Sequence, residues 1–167
     1  MKHLIATVLL AVLVSLSIVS AIGPHKAAYV GGTLMPPNRS HDPIEGSLDT
    51  SAERQLVFTA EEQRPKGLRL EITYHSVLDV KYGQETGRRV VATMGSTVLL
   101  GPIGLLPMSS KQRRHYLTVG YTDEHGTKQV AVFELGKDTV RPTLAVIESR
   151  SGKPIDYQDD DSRRLSR

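Results

Sequence analysis

The stretch Tyr116 to Gly152 constrains this chain most, because turn, strand and helix signals agree there in one continuous run. Tyr116 to Thr122 is rich in β-branched and aromatic residues and reads as a strand. Asp123-Glu124-His125-Gly126 is turn chemistry, with a glycine free to take positive φ, and Lys128 to Leu135 alternates again. Gly136 to Thr139 breaks that alternation, after which Val140, Leu144 and Ile147 recur at helical spacing, with Ala145 and Val146 widening the stripe. Thr139 is the expected N-cap, since it puts Pro142 in the first turn where a missing N–H costs nothing, and Gly152 before Lys153-Pro154 is the expected stop. A strand, turn, strand and amphipathic helix in this order can bury the helix only against a sheet.

Upstream, Leu68, Leu70, Ile72 and Tyr74 fall on one face of a strand, with Arg69, Glu71 and Thr73 on the other. His75-Ser76 interrupts, and Leu78, Val80 and Tyr82 resume the apolar alternation. Gly46 to Thr50 and Gln55 to Thr59, joined by Ser51-Ala52-Glu53, make a hairpin. The fold class expected is mainly β with one C-terminal helix. Residues 22–45 read as a short strand, Lys26 to Leu34, and a proline-rich loop ahead of a domain at 46–152. Residues 153–167, with Asp159-Asp160-Asp161 and Arg163-Arg164, read as a polar, disordered tail rather than a calcium loop, whose ligands are spaced around a glycine turn.

Residues 1–21 have the order of an export signal: a basic start, an apolar run from Leu4 to Ile18, and small residues at Val19-Ser20-Ala21. A retained anchor is the other reading, since the run approaches the length that spans a ~30 Å hydrocarbon core. Either way the domain is expected outside the cytoplasm, periplasmic or secreted. There is no cysteine, so no disulfide framework and no thiol nucleophile. The core alone must hold about 145 residues together.

Without residues 1–21 the chain loses Lys2, and 20 basic residues then face 18 acidic ones. The distribution matters more than this total. From Thr86 to Thr122 five basic residues, Arg88, Arg89, Lys111, Arg113 and Arg114, stand with no acidic one. They bracket Val90 to Met108, nineteen uncharged residues that include Leu99, Leu100, Ile103, Leu105 and Leu106. A membrane span there would put the closing hairpin on the wrong side of a bilayer from the rest of the sheet. Two readings stay open. Val90 to Met94 completes the sheet while Val98 to Leu106 packs as an apolar connection, or the segment is a bent surface loop whose cationic flanks meet anionic headgroups or a protein partner.

No catalytic constellation is visible. The six histidines show no ligand spacing that would suggest a metal, no nucleophile elbow is present, and Gly83 to Gly87 lacks the length and lysine of a phosphate loop. Arg113-Arg114-His115-Tyr116 reads as a solvated strand edge rather than a nucleic-acid patch, and Asn38-Arg39-Ser40 as a chance glycosylation triplet. The expectation is a non-catalytic binding module without a cofactor. The alternative is a hydrolase with an unrecognised site, for which His75, His115 or His125 would have to matter.

The order of elements, with the Ile72-x-Tyr74-x-x-x-Leu78 pattern, the hairpin Tyr116 to Leu135 and the closing helix, resembles the PH-like superfold, particularly its GRAM-like bacterial versions. Tyr29-Val30-Gly31-Gly32-Thr33 and Tyr116 to Tyr121 are also similar to phrases in small exported bacterial proteins. The resemblance implies a bent antiparallel sheet or partly open barrel capped by the helix. It also implies binding of phosphoinositides, other lipids or peptides through basic loops at the open end. Asp49 to Arg54 carries no basic run of that kind, which leaves the cationic flanks of 90–108 as the candidate surface.

Overall fold

The computed structural model describes residues 23–33, 43–61, 68–85, 114–158 and 160–165. Eight strands form one sheet: β1 His25–Gly32, β2 Ile44–Asp49, β3 Gln55–Ala60, β4 Arg69–Thr73, β5 Val77–Glu85, β6 Arg114–Thr122, β7 Lys128–Leu135 and β8 Ile155–Tyr157. Their spatial order is β4-β3-β2-β1-β7-β6-β5-β8, and the two outer strands do not pair, so the sheet is open. Every ladder is antiparallel except β5 with β8. A helix, α1 Val140–Ser151, follows β7, and a short α2, Asp160–Leu165, follows β8.

The inner face carries the core. Leu56, Phe58, Ile72, Tyr82, Leu117, Val119, Ala131 and Phe133 are fully buried there. Three rings meet at its centre, with Phe133 5.6 Å from Phe58 and 5.9 Å from Tyr29. Helix α1 contributes Val140, Leu144, Val146 and Ile147 to the same cluster, so its apolar stripe is covered by the sheet. Ala145, expected in that stripe, is exposed, and Thr143 is buried in its place. Helix α1 starts after Thr139, but the Thr139 hydroxyl donates to the Gly136 carbonyl at 2.8 Å and closes a 3-10 turn instead of capping the helix. At the other end Gly152 takes φ 66°, which a β-carbon would disfavour, and its N–H reaches the Glu148 carbonyl. Arg150 ties this end down: its Nη1 donates to the carbonyls of Thr50 and Ala52, and its guanidinium lies 5.5 Å from the centroid of the Tyr74 ring.

Three expectations are corrected. The sheet does not begin at Gly46: β1 sits in its middle, paired with β2 on one side and β7 on the other, so His25–Gly32 belongs to the same sheet. Residues 153–167 are not a disordered tail throughout. Ile155 is buried in β8, Lys81 and Asp156 pair at 3.9 Å, and the Ser162 hydroxyl of α2 accepts the Gln84 N–H at 3.1 Å. Leu78 is not on the core face. The ladder of β5 with β6 slips between Val77 and Asp79, which turns Val77 inward and leaves Leu78 39% exposed.

A second row of buried side chains lies away from the core. Ala28, Val30, Tyr116, Val130 and Val132 are each nearly inaccessible yet stand outside the core cluster, on positions that alternate with core residues along β1, β6 and β7. The strand expected over Val90 to Met94 lies outside the described residues.

Candidate functional site

Of the residues expected to form a docking surface, Arg114 alone is described; Arg88, Arg89, Leu99, Leu100, Ile103, Leu105, Leu106, Lys111 and Arg113 lie outside the described residues. Arg114 opens β6, and its Nη1 donates to both carboxylate oxygens of Glu134 on β7, at 2.8 and 2.7 Å. The acid-free run from Thr86 to Thr122 therefore has a carboxylate across the strand. Register brings it there: His115 pairs with Leu135 and Tyr116 with Glu134. Arg114 is not an unpaired cation waiting for a ligand.

Beside it the sheet builds a cleft of about 300 Å³ lined by Tyr82, His115, Lys137, Asp138, Val140 and Arg141. Gln84 pairs with His115 and Tyr82 with Leu117, so Tyr82 and His115 are diagonal neighbours across β5 and β6. The ring planes are nearly parallel, and the Tyr82 hydroxyl lies 2.7 Å from His115 Nδ1. The Gln84 side-chain amide nitrogen approaches the same Nδ1 at 3.4 Å. Both contacts fall on Nδ1, and which partner donates depends on the imidazole tautomer. Tyr82 is itself fully buried, with the Tyr157 ring edge-on at 6.1 Å. Alternation along the strand puts Tyr82 on a core face, and His115 is a candidate only in the hydrolase alternative. Only the strand register joins them.

Burial, reinforced by Lys137, holds the His115 imidazole below its ordinary pKa, while Glu134 pulls the other way. The unfolded chain thus takes up this proton at a higher pH than the folded protein does. The stability that His115 confers is complete above about pH 6.5 and is lost as pH falls through its lowered folded value. Melting temperatures at about pH 7.5 and about pH 5.5 are expected to fall less on acidification in a His115→Gln variant than in the parent. Equal losses would show that this imidazole is not part of the acid response.

A second, more open groove of about 510 Å³ runs between β4 and the β6–β7 turn and includes Glu71, Thr73, His75, Tyr121, Asp123 and His125. It brings two of the three candidate histidines to one place, but the neighbouring groups are engaged. The Ser76 hydroxyl donates to the Thr73 carbonyl, Glu71 accepts from Arg69 and Gln55, and Asp123 accepts from the His125 and Thr127 N–H groups and the Gln129 amide. Those bonds hold Asp123 below its usual carboxylate range. Tyr121 is buried, its hydroxyl has no partner among the described residues, and burial pushes its pKa up to about 12.

Among the described residues no cluster of three or more metal-ligating side chains occurs, and no helix is long and apolar enough to cross a membrane. Compared with known proteins, the chain matches no family model and no curated protein.

Proposed function

We propose that this protein is an exported, non-catalytic binding module of PH-like type that docks on anionic lipid through residues 88–114. The observation carrying this reading is the pairing of Glu85 with Arg114 at the end of the β5–β6 ladder. The chain leaves the sheet and returns to it at one place, so Arg88 and Arg89 on one side and Lys111 and Arg113 on the other start from the same sheet end. At about 3.3–3.6 Å per residue, chain length alone keeps the Cα of each of these residues within roughly 15 Å of that end. The PH-like reading is supported by the meander β1 to β4 continuing through β1–β7 into β6 and β5, with α1 filling the opening beside the 3-10 turn Tyr74–Ser76. The non-catalytic reading is supported by the separation of His75 and His125 from His115 and by the engagement of the Ser76 hydroxyl.

Flotation with liposomes tests it, using the protein as recovered after export; its intact mass from the soluble extracytoplasmic fraction is expected to show an N-terminus near Ile22. Binding is expected only with anionic lipid and to fall with salt by roughly 1 kcal/mol per basic residue near the surface. An Arg88→Glu, Arg89→Glu, Arg113→Glu variant, which leaves the Arg114–Glu134 pair in place, should stay in the dense fraction. A second reading is favoured by the buried outer row Ala28, Val30, Tyr116, Val130 and Val132, which α1 does not cover. In that reading residues 90–108 lie over the outer face of the sheet and not in a bilayer. Absence of flotation at low salt removes the lipid reading and leaves either this packing or a protein partner.

A further inference from the structure

We propose that the cleft formed by Tyr82, His115, Lys137 and Arg141 is a binding site for a phosphate monoester. The lipid origin of that phosphate rests on the docking reading above; the cleft as an oxyanion site does not.

Two cationic side chains, Lys137 and Arg141, and one carboxylate, Asp138, line the cleft, a formal excess of one positive charge, with Arg141 already engaged within the protein. Lys137 has no ion-pair partner among the described residues. His115 adds a ring whose Nδ1 is taken up by the Tyr82 hydroxyl at 2.7 Å and the Gln84 amide at 3.4 Å, so Nε2 is the ring nitrogen left for a ligand. Tyr82 cannot rotate to release that arrangement, since it is fully buried against Leu117 and Tyr157. The nearby carboxylate of Glu134 is neutralised by Arg114, so it does not cancel the cations at the rim. The Lys137 ammonium and the His115 ring, with the Arg141 guanidinium on the same wall, suit an oxyanion such as phosphate. A volume of about 300 Å³ exceeds what the phosphate alone would fill and leaves room for its organic substituent.

Inorganic phosphate is the first probe, titrated into the exported protein while the His115 ring signals are followed by NMR at constant ionic strength set with chloride. A saturable shift with a Kd on the order of 1 mM is expected. Lys137→Gln should weaken it about five- to tenfold, and Asp138→Asn should tighten it about two- to fivefold, since that carboxylate repels the ligand. Both positions are exposed, so neither change threatens the fold. No shift with phosphate in excess, or a shift that neither variant alters, overturns the proposal. Phosphatidylcholine vesicles carrying phosphatidic acid or phosphatidylglycerol at matched charge then identify the source. Preference for the monoester headgroup that disappears in Lys137→Gln assigns a lipid phosphate; equal binding of both vesicles alongside an intact phosphate titration assigns a soluble phosphate ester. Flotation that fails while phosphate still binds overturns the docking reading alone, and the reverse result overturns the cleft alone.

Discussion

Phe133→Ala is expected to lower the free energy of unfolding by about 3–5 kcal/mol. The ring is fully buried on a strand paired on both sides, and it contacts the two other aromatic rings at the core centre, Tyr29 and Phe58. Neither β1 nor β6 can move in to fill the space without breaking a ladder, so the cavity persists. Urea unfolding checks this: the midpoint should fall while the slope stays unchanged. Leu78→Ala is the matched contrast. Alternation along β5 would make it a core deletion, but the bulge exposes it, and a loss below about 1 kcal/mol is expected. A Leu78→Ala effect as large as that of Phe133→Ala would mean that the register of β5 is wrong.

Gly46→Val is expected to cost about 3 kcal/mol or more, at the upper end of what overpacking produces. A β-carbon at Gly46 would stand 2.3 Å from the Thr59 carbonyl oxygen, 2.7 Å from Phe58 Cζ and 3.0 Å from the Ala60 Cα. Two of those atoms are backbone of the adjacent strand, and β2 is held on its other side by β1, so relief requires parting a ladder. Gly136→Ala is the control. Its β-carbon would meet only the Thr139 hydroxyl at 3.7 Å, at an ordinary negative φ, and a change within about 0.5 kcal/mol is expected. Similar midpoints for the two variants would show that β2 has room to shift.

The elements whose cause is local were legible in the residues themselves. Asp123 to Gly126 makes its turn because Asp123 accepts the N–H groups of His125 and Thr127 and Gly126 takes φ 77°, all within five residues of chain. Pro142 in the first turn and Gly152 beyond the last mark α1 for the same reason: each acts on hydrogen bonds no more than four residues away. The one-sided burial of Leu70 and Ile72 follows from alternation alone. The burial of Val77 in place of Leu78 does not, because it depends on how β5 slides against β6, and both choices satisfy the local sequence almost equally. The same holds for the central place of β1, which Ala27 and Tyr29 acquire only through partners on β2 and β7, and for Ile155 of β8, whose cover is β5. The Arg114–Glu134 pair and the Tyr82–His115 contact are set by register as well, twenty and thirty-three positions apart in the chain. Local hydrogen bonding and side-chain period act over a few residues and can be read directly. The relative slide of strands is chosen by the summed burial of whole faces, so tertiary structure alone decided which charges and rings meet at the candidate site.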